Sequence, residues 1–318
     1  MATSNSRDFS LNRVNLIKRA FHLLNVYDLS DSIGSEDTDY ASDMLNSMVK
    51  QWQIEGIHLW NRVEATLFTA YQTSSYSLST SGTHATKAYN YTQLNGAHSS
   101  GVTTLTVDST ASMTVGDNIG IELTAGTRQW TTIATIPSST SLTISAATTG
   151  AASDNGTIFA YTTKIDRPLQ ILSARVQDRT ADTELPLLIE SHAGYFDIPD
   201  KTLNSQPTLY YYDKQLGSGV FYLWPRPDNV DYIVNFTMYE QLEDLDSGTN
   251  TFDFPQEWTL ALTFNLAVLL AFPYGKYAEM DKLIPLALEL KQALQMWDTD
   301  SESIQLIPSH GGSRAPRT

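Results

Sequence analysis

Six acidic residues, Glu190, Asp197, Asp200, Glu240, Glu243 and Asp244, fall in two short stretches of this 318-residue chain. Two carboxylates held about 5–10 Å apart can cleave a sugar polymer, one as acid and the other as base or nucleophile. The chain carries 35 acids against 20 bases, so neighbouring carboxylates arise here without any catalytic purpose. The six histidines (His22, His58, His84, His98, His192, His310) form no H-E-x-x-H and no pair at helical spacing, which gives no metal site. The stretch "DLDSGTNTFD", Asp244 to Asp253, has the start of a calcium loop. It carries Thr249 where that loop needs glycine and Pro255 where it needs glutamate. There is no G-x-S-x-G elbow and no phosphate-binding G-x-x-x-x-G-K-[ST]. "SHGGS", Ser309 to Ser313, could donate to an oxyanion only if held rigid, and it sits in a polar terminal stretch. With no cysteine, thiol chemistry and disulfides are excluded. The sequence thus predicts no catalytic residue, no metal and no cofactor.

The aromatic residues carry more information. "TLYYYDKQLGSGVFYLWPRP" places Tyr210, Tyr211, Tyr212, Phe221, Tyr222 and Trp224 on two neighbouring strands joined by a glycine-containing loop. Alternate side chains on a strand face opposite ways, so one set enters a core and the other needs a cover. Tyrosine and tryptophan are favoured at protein interfaces. We therefore take Tyr210, Tyr211, Tyr212, Tyr222 and Trp224 as candidate interface residues.

The elements that position these residues follow from hydrophobic period. Ser10 is the expected N-cap of a first helix with Val14, Ile17, Phe21 and Leu24 on its apolar face. Ser35 is expected to cap a second, with Ala41, Leu45, Met48 and Trp52 as its stripe and Gly56 as its left-handed terminator. These two should form a hairpin with shared faces, and Trp60 should lock that layer to the strand beginning near Arg62. Residues 81–160 are rich in Ser, Thr and Gly, poor in charge and strand-like throughout, which predicts an inserted all-β module, barrel or sandwich. Strand signals continue to about residue 240. Two helices then follow, Pro255 to Phe272 and Lys276 to Trp297. Trp258 opens the first, and Met280, Ile284, Ala287, Leu290 and Leu294 form the stripe of the second, with Pro285 expected to kink it. Trp52, Gly56, Trp60 and Trp258 are the expected structural residues of the core. No apolar run is long enough for a membrane span, and no secretory leader is expected. A net charge of −15 disfavours attraction to nucleic acid. The fold class expected is α+β: a helical hairpin or bundle core, antiparallel β-hairpins, an inserted all-β module and an extended C-terminal arm. The expected divisions are 1–80, 81–160, 161–298 and 299–318.

The order of motifs resembles a known family. An acid-capped helix ends in "MLNSMVKQWQIEGIHLW". There follow "RPLQILSARVQD", "GYFDIPDKTLNSQPTLYYY", "GVFYLWPRP", an acidic "DLDSG…DFPQEW" and an apolar helix reaching "PYGK". This series resembles the head-to-tail adaptors of short-tailed phages, also called packaged-DNA stabilisation proteins, over about residues 8–80 and 161–298. The resemblance implies a non-enzymatic virion protein forming a ring, usually dodecameric, below the portal. Its partners would be the portal protein, the tail nozzle and tail fibres or a tailspike, and packaged DNA would pass through the lumen without specific binding. It further implies that Ile304, Leu306, Ile307 and Pro308 anchor a C-terminal arm on the portal, with Arg314 and Arg317 as cationic contacts. The alternative reading is a virion-associated peptidoglycan hydrolase using an Asp/Glu pair. A glycan-binding role for residues 81–160, resting on Trp130, is a third.

Overall fold

The computed structural model describes residues 11–55, 61–242, 244 and 255–297. Two helices come first, α1 (Arg13–Leu23) and α2 (Ser35–Ile54). Strands β1 (Arg62–Phe68), β2 (Ser75–Leu78) and β3 (Ala85–Thr86) follow. Six more are β4 (Asn90–Gln93), β5 (Thr104–Thr106), β6 (Asn118–Leu123), β7 (Thr127–Ser138), β8 (Ser141–Ile144) and β9 (Thr157–Tyr161). After β10 (Gln170–Asp178) and β11 (Thr183–Ile189) come the short α3 (His192–Phe196), β12 (Leu209–Asp213), β13 (Gly219–Trp224) and β14 (Tyr232–Tyr239). Helices α4 (Trp258–Ala271) and α5 (Tyr277–Trp297) close the described chain. It divides into two compact units, 1–60 with 243–318, and 61–242.

This corrects the expected fold class. The protein is mostly β, built on one eight-stranded and one six-stranded curled sheet, and a helical bundle is not its core. Periodicity identifies an element but not its partners. Here the strands of 61–86 and 170–239 find each other across more than a hundred residues and build a core of their own.

In the helical unit, α4 is apolar nearly all round. Trp258, Ala261, Leu262, Leu266, Ala267, Leu270 and Ala271 are all buried. A helix with no polar face must be covered on several sides, and α1, α2 and α5 all pack on it. The expected α1–α2 hairpin is therefore replaced by two helices that share α4. Trp52 and Trp258 are both buried, with ring centroids 5.9 Å apart. The α1 cap is Asn12, whose side chain accepts from Asn15 N at 2.9 Å, rather than Ser10. Val14 is exposed while Leu16 and Ala20 are buried. Ser35 is the first helical residue of α2 rather than its cap; Gly34 takes the cap position and its carbonyl accepts from the Thr38 hydroxyl. On α5 the buried positions are Leu283 and Ala287, and Ile284 faces solvent. Gly56 and Trp60 lie outside the described residues, as do most of the acidic loop and the arm residues Ile304, Leu306, Ile307, Pro308, Arg314 and Arg317.

In the second unit the eight strands run in the order β2-β13-β12-β11-β10-β14-β1-β3. All pairings are antiparallel except β11 with β12. Phe221 on β13 stacks on Phe236 on β14 at 5.8 Å although three strands separate them in the sheet, so the sheet curls around one core. The six-stranded sheet, β4-β9-β6-β7-β8-β5, closes on itself. A Leu94–Val107 bridge joins its outermost strands, flanked by Asn95 N–H to Thr106 O and Asp108 N–H to Gln93 O, each 3.0 Å. Closure removes both sheet edges, and of the barrel and sandwich expected the molecule forms the barrel. Ile119, Ile121, Ile133, Leu142 and Ile158 fill it. The residues around Met113 and Val115 form a turn rather than the expected strand, with Gly116 at φ +96 and Asp117 accepting from the Thr114 N–H and hydroxyl.

Candidate interaction surfaces

Two places in the β unit gather aromatic side chains, and they differ in what covers them. The first lies between barrel and curled sheet. Phe68 at the end of β1 is 2% exposed, and the rings of Phe159, Trp130, Tyr89 and Tyr161 lie 4.9, 5.1, 5.4 and 5.8 Å from it. Gly120 on β6 makes room for Trp130: a Cβ there would come within 2.7 Å of the indole. His84 lies flat on Trp130 with centroids 3.9 Å apart, and its Nδ1 is hydrogen-bonded to the Tyr161 hydroxyl. Trp130 is committed to this junction, which withdraws the one aromatic that supported a glycan site in the barrel.

A buried cation completes the junction. Arg128 on β7 donates from Nη1 to Val230 O at 2.7 Å and from Nη2 to Thr157 Oγ1 at 2.9 Å. Asp231 lies 3.6 Å away. The guanidinium sits over the Phe159 ring at 4.6 Å. Burial pulls its pKa down to about 10, opposed by the carboxylates of Asp231 and Glu122. A delocalised guanidinium suits such a place, because it satisfies several acceptors while stacking on a ring.

Burial, with help from the Lys164 charge, pulls His84 down to about 4. The folded protein therefore holds this ring neutral, whereas the unfolded chain takes up a proton near the ordinary 6.5. The resulting stability is complete above about pH 6.5 and is lost as pH falls from there towards 4. Urea midpoints measured between pH 7.5 and 4.5 should fall more steeply for the native protein than for His84→Gln. Equal slopes would show that His84 is not held neutral.

The second aromatic gathering is on the outer face of β11, β12 and β13. Residues paired across a ladder project to the same side. Leu188 pairs with Leu209, Leu209 with Trp224, and Tyr211 with Tyr222. These five thus form two adjacent rows on one face, with Tyr211 and Tyr222 stacked at 5.8 Å. Tyr210, only 1% exposed, and Tyr212 belong to the opposite face. Tyr210 stacks on Phe221 inside, and the Tyr212 hydroxyl donates to Pro168 O at 2.6 Å. This removes Tyr210 from the expected interface set, because a buried ring cannot meet a neighbour.

Helix α3 covers part of the outer rows. Ser191 caps it, its hydroxyl accepting from Gly194 N. The Glu190 carboxylate sits over Gly194, where a Cβ would meet it at 2.0 Å and push that side chain aside. The helix lays Tyr195 against Tyr222 at 5.1 Å and Phe196 against the same ring at 5.7 Å, with His192 against Tyr211 at 5.6 Å. Lys201 Nζ closes its far end by donating to Phe196 O at 2.7 Å. Burial pushes the Tyr195 hydroxyl pKa up. Trp224 Nε1 donates to Asp200 O at 2.7 Å. Tyr195 is buried, but Phe196 stays 44% exposed and Leu188 71% exposed. Leu216, at the tip of the β12–β13 loop, is 97% exposed. The sequence reading missed α3 and Leu188; the Ser191 cap and the "HAGYF" aromatics were the available signal.

Four of the six carboxylates singled out in sequence have other work, and Glu243 lies outside the described residues. Glu190 accepts from the Ser191 N–H, and Asp200 accepts from the Thr202 N–H and hydroxyl, which holds it below the usual carboxylate range. Glu240 pairs with Lys87, and Asp244 with Lys50. Among the described residues no group of three or more His, Cys, Asp or Glu is placed to hold a metal, and no helix is long and apolar enough to cross a membrane. No family model matches the chain, and no curated protein matches it.

Proposed function

We propose that this chain is a structural subunit of a head-to-tail adaptor ring in a short-tailed phage virion, docking on the portal and serving as platform for the tail nozzle and fibres. The observation that carries the reading is the outer face of β11–β13. Leu188, Phe196, Tyr211, Tyr222 and Trp224 present a contiguous apolar and aromatic surface whose own helical cover is incomplete. Surfaces of this composition are suited to protein–protein contact. The motif order in the sequence supports the same reading. So does the charge of −15, which suits a conduit that must let phosphates slide past.

Substituting Leu188→Asp together with Phe196→Asp tests it. Leu188 is 71% exposed and Phe196 44%, so the variant should stay folded, with a small fall in unfolding midpoint from the lost Phe196–Tyr222 contact that Phe196→Ala alone reproduces without a carboxylate. A carboxylate buried at an interface loses roughly 2 kcal/mol or more of association, and two per subunit should leave the chain monomeric where the native protein forms rings. A double variant that assembles as well as the native chain would overturn the assignment of this face.

A further inference from the structure

Helices α1 and α4 leave a groove of about 410 Å³ between them, lined by Arg19, His22, Leu23, Thr259, Leu260 and Phe264. Its walls are apolar and its lip is cationic, in a chain that is otherwise strongly acidic. Arg19 makes no ion pair among the described residues. His22 Nε2 is buried there without a hydrogen-bond partner. The ligand that satisfies such a groove is a peptide carrying carboxylates beside large aliphatic side chains.

The chain carries that peptide at the right end of the right helix. Residues 298–307 read "DTDSESIQLI": Asp298, Asp300 and Glu302, then Ile304, Leu306 and Ile307. Helices α4 and α5 are joined by a five-residue connection and run antiparallel, with Asn265 Nδ2 donating to Ala287 O at 3.1 Å. Seven residues back along α4 and seven onward along α5 set Trp258 level with Leu294, so α5 ends beside the first turn of α4. Thr259 and Leu260 of that turn line the groove on the other face of α4, while Lys291 of α5 lines the second groove, so the segment has to pass round the first turn of α4 to reach it. From Asp298 to Ile304 an extended chain spans about 20 Å, enough to carry the isoleucine there. We propose that in the free chain the segment 298–307 seats in the α1–α4 groove of its own helical unit, carboxylates on Arg19 and aliphatic side chains against Leu23, Leu260 and Phe264. Seating covers apolar side chains that would otherwise promote aggregation. It would have to be released before the arm could bind anything else. This inference does not depend on ring formation.

The native chain contains no cysteine, so an introduced pair reports a single proximity. Thr259→Cys with Ile304→Cys, oxidised in the dilute free chain, should form a disulfide within one chain, and Leu23→Cys with Ile304→Cys should do the same. Arg19→Glu should slow both by roughly fivefold, as should molar salt, which shortens electrostatic reach to about 3 Å. Ser47→Cys with Ile304→Cys is the control. Ser47 lines a second groove, of about 360 Å³, on the α2 side of α4. Closure of the groove pairs no faster than the control, rates indifferent to Arg19→Glu, or disulfides joining two chains would each overturn the proposal.

Discussion

Phe68→Ala should lower the stability of the β unit by about 3–5 kcal/mol, the usual range for deleting a fully buried aromatic ring. Four rings surround Phe68 between barrel and curled sheet. They come from β7, β9 and the chain between β3 and β4, so collapse around the cavity would require elements of both sheets to shift together. That is the situation in which a cavity relaxes least. The measurement is a denaturant melt of the native and variant proteins, followed by tryptophan fluorescence, since Trp130 is one of the four rings. If the junction is the weak seam of the β unit, the variant should also show a second transition, the barrel parting from the sheet. A loss under about 1 kcal/mol would mean that the junction is not tightly packed.

The second large effect is expected at Arg128. Replacing it with alanine removes the donor to Val230 O and Thr157 Oγ1 and leaves the Asp231 carboxylate without its cation, held by the Thr157 and Thr180 hydroxyls. Removing one partner from a buried ion pair is strongly destabilising, roughly 3–5 kcal/mol, because the other charge stays behind. Arg128→Ala/Asp231→Ala should recover part of the loss, since the stranded carboxylate goes with it. A double variant as unstable as the sum of the two single changes would show that the pair is not coupled.

What the sequence revealed, and what it hid, divides along a physical line. Local period is legible. Leu45, Met48 and Trp52 mark the buried stripe of α2, and Ile119, Ile121 and Leu123 mark the inward face of β6. A one-residue choice of helix face is less so: Val14 and Ile284 are apolar yet exposed, while Leu16 and Leu283 beside them are buried, because neighbouring helices select the face. Partnership over long distance is not legible at all. Nothing in "RVEATLF" announces that it pairs with β14, about 170 residues on, and this pairing helps to make the protein mostly β. The bridge that closes the barrel joins Leu94 and Val107, residues just beyond the ends of short strands.

The candidate surface shows the same limit. Alternation said that Tyr210 and Tyr211 must point opposite ways, but only packing decided that Tyr210 is the inner one. Leu188 sat in "LPLLI", where every position is apolar and parity gives no signal. His84 and Trp130 stood alone in polar surroundings and acquired meaning only when the chain brought them face to face. In each case the missing information is tertiary, and short apolar runs do not encode it.

The most direct test of the adaptor reading is the native mass of the purified 318-residue chain, measured alone and after mixing with the portal ring that the reading assigns to it. The account predicts that the portal captures a fixed number of copies of this 35.3 kDa chain in one discrete ring, matching the portal's rotational symmetry. A chain that stays monomeric and leaves the portal's mass unchanged would contradict it.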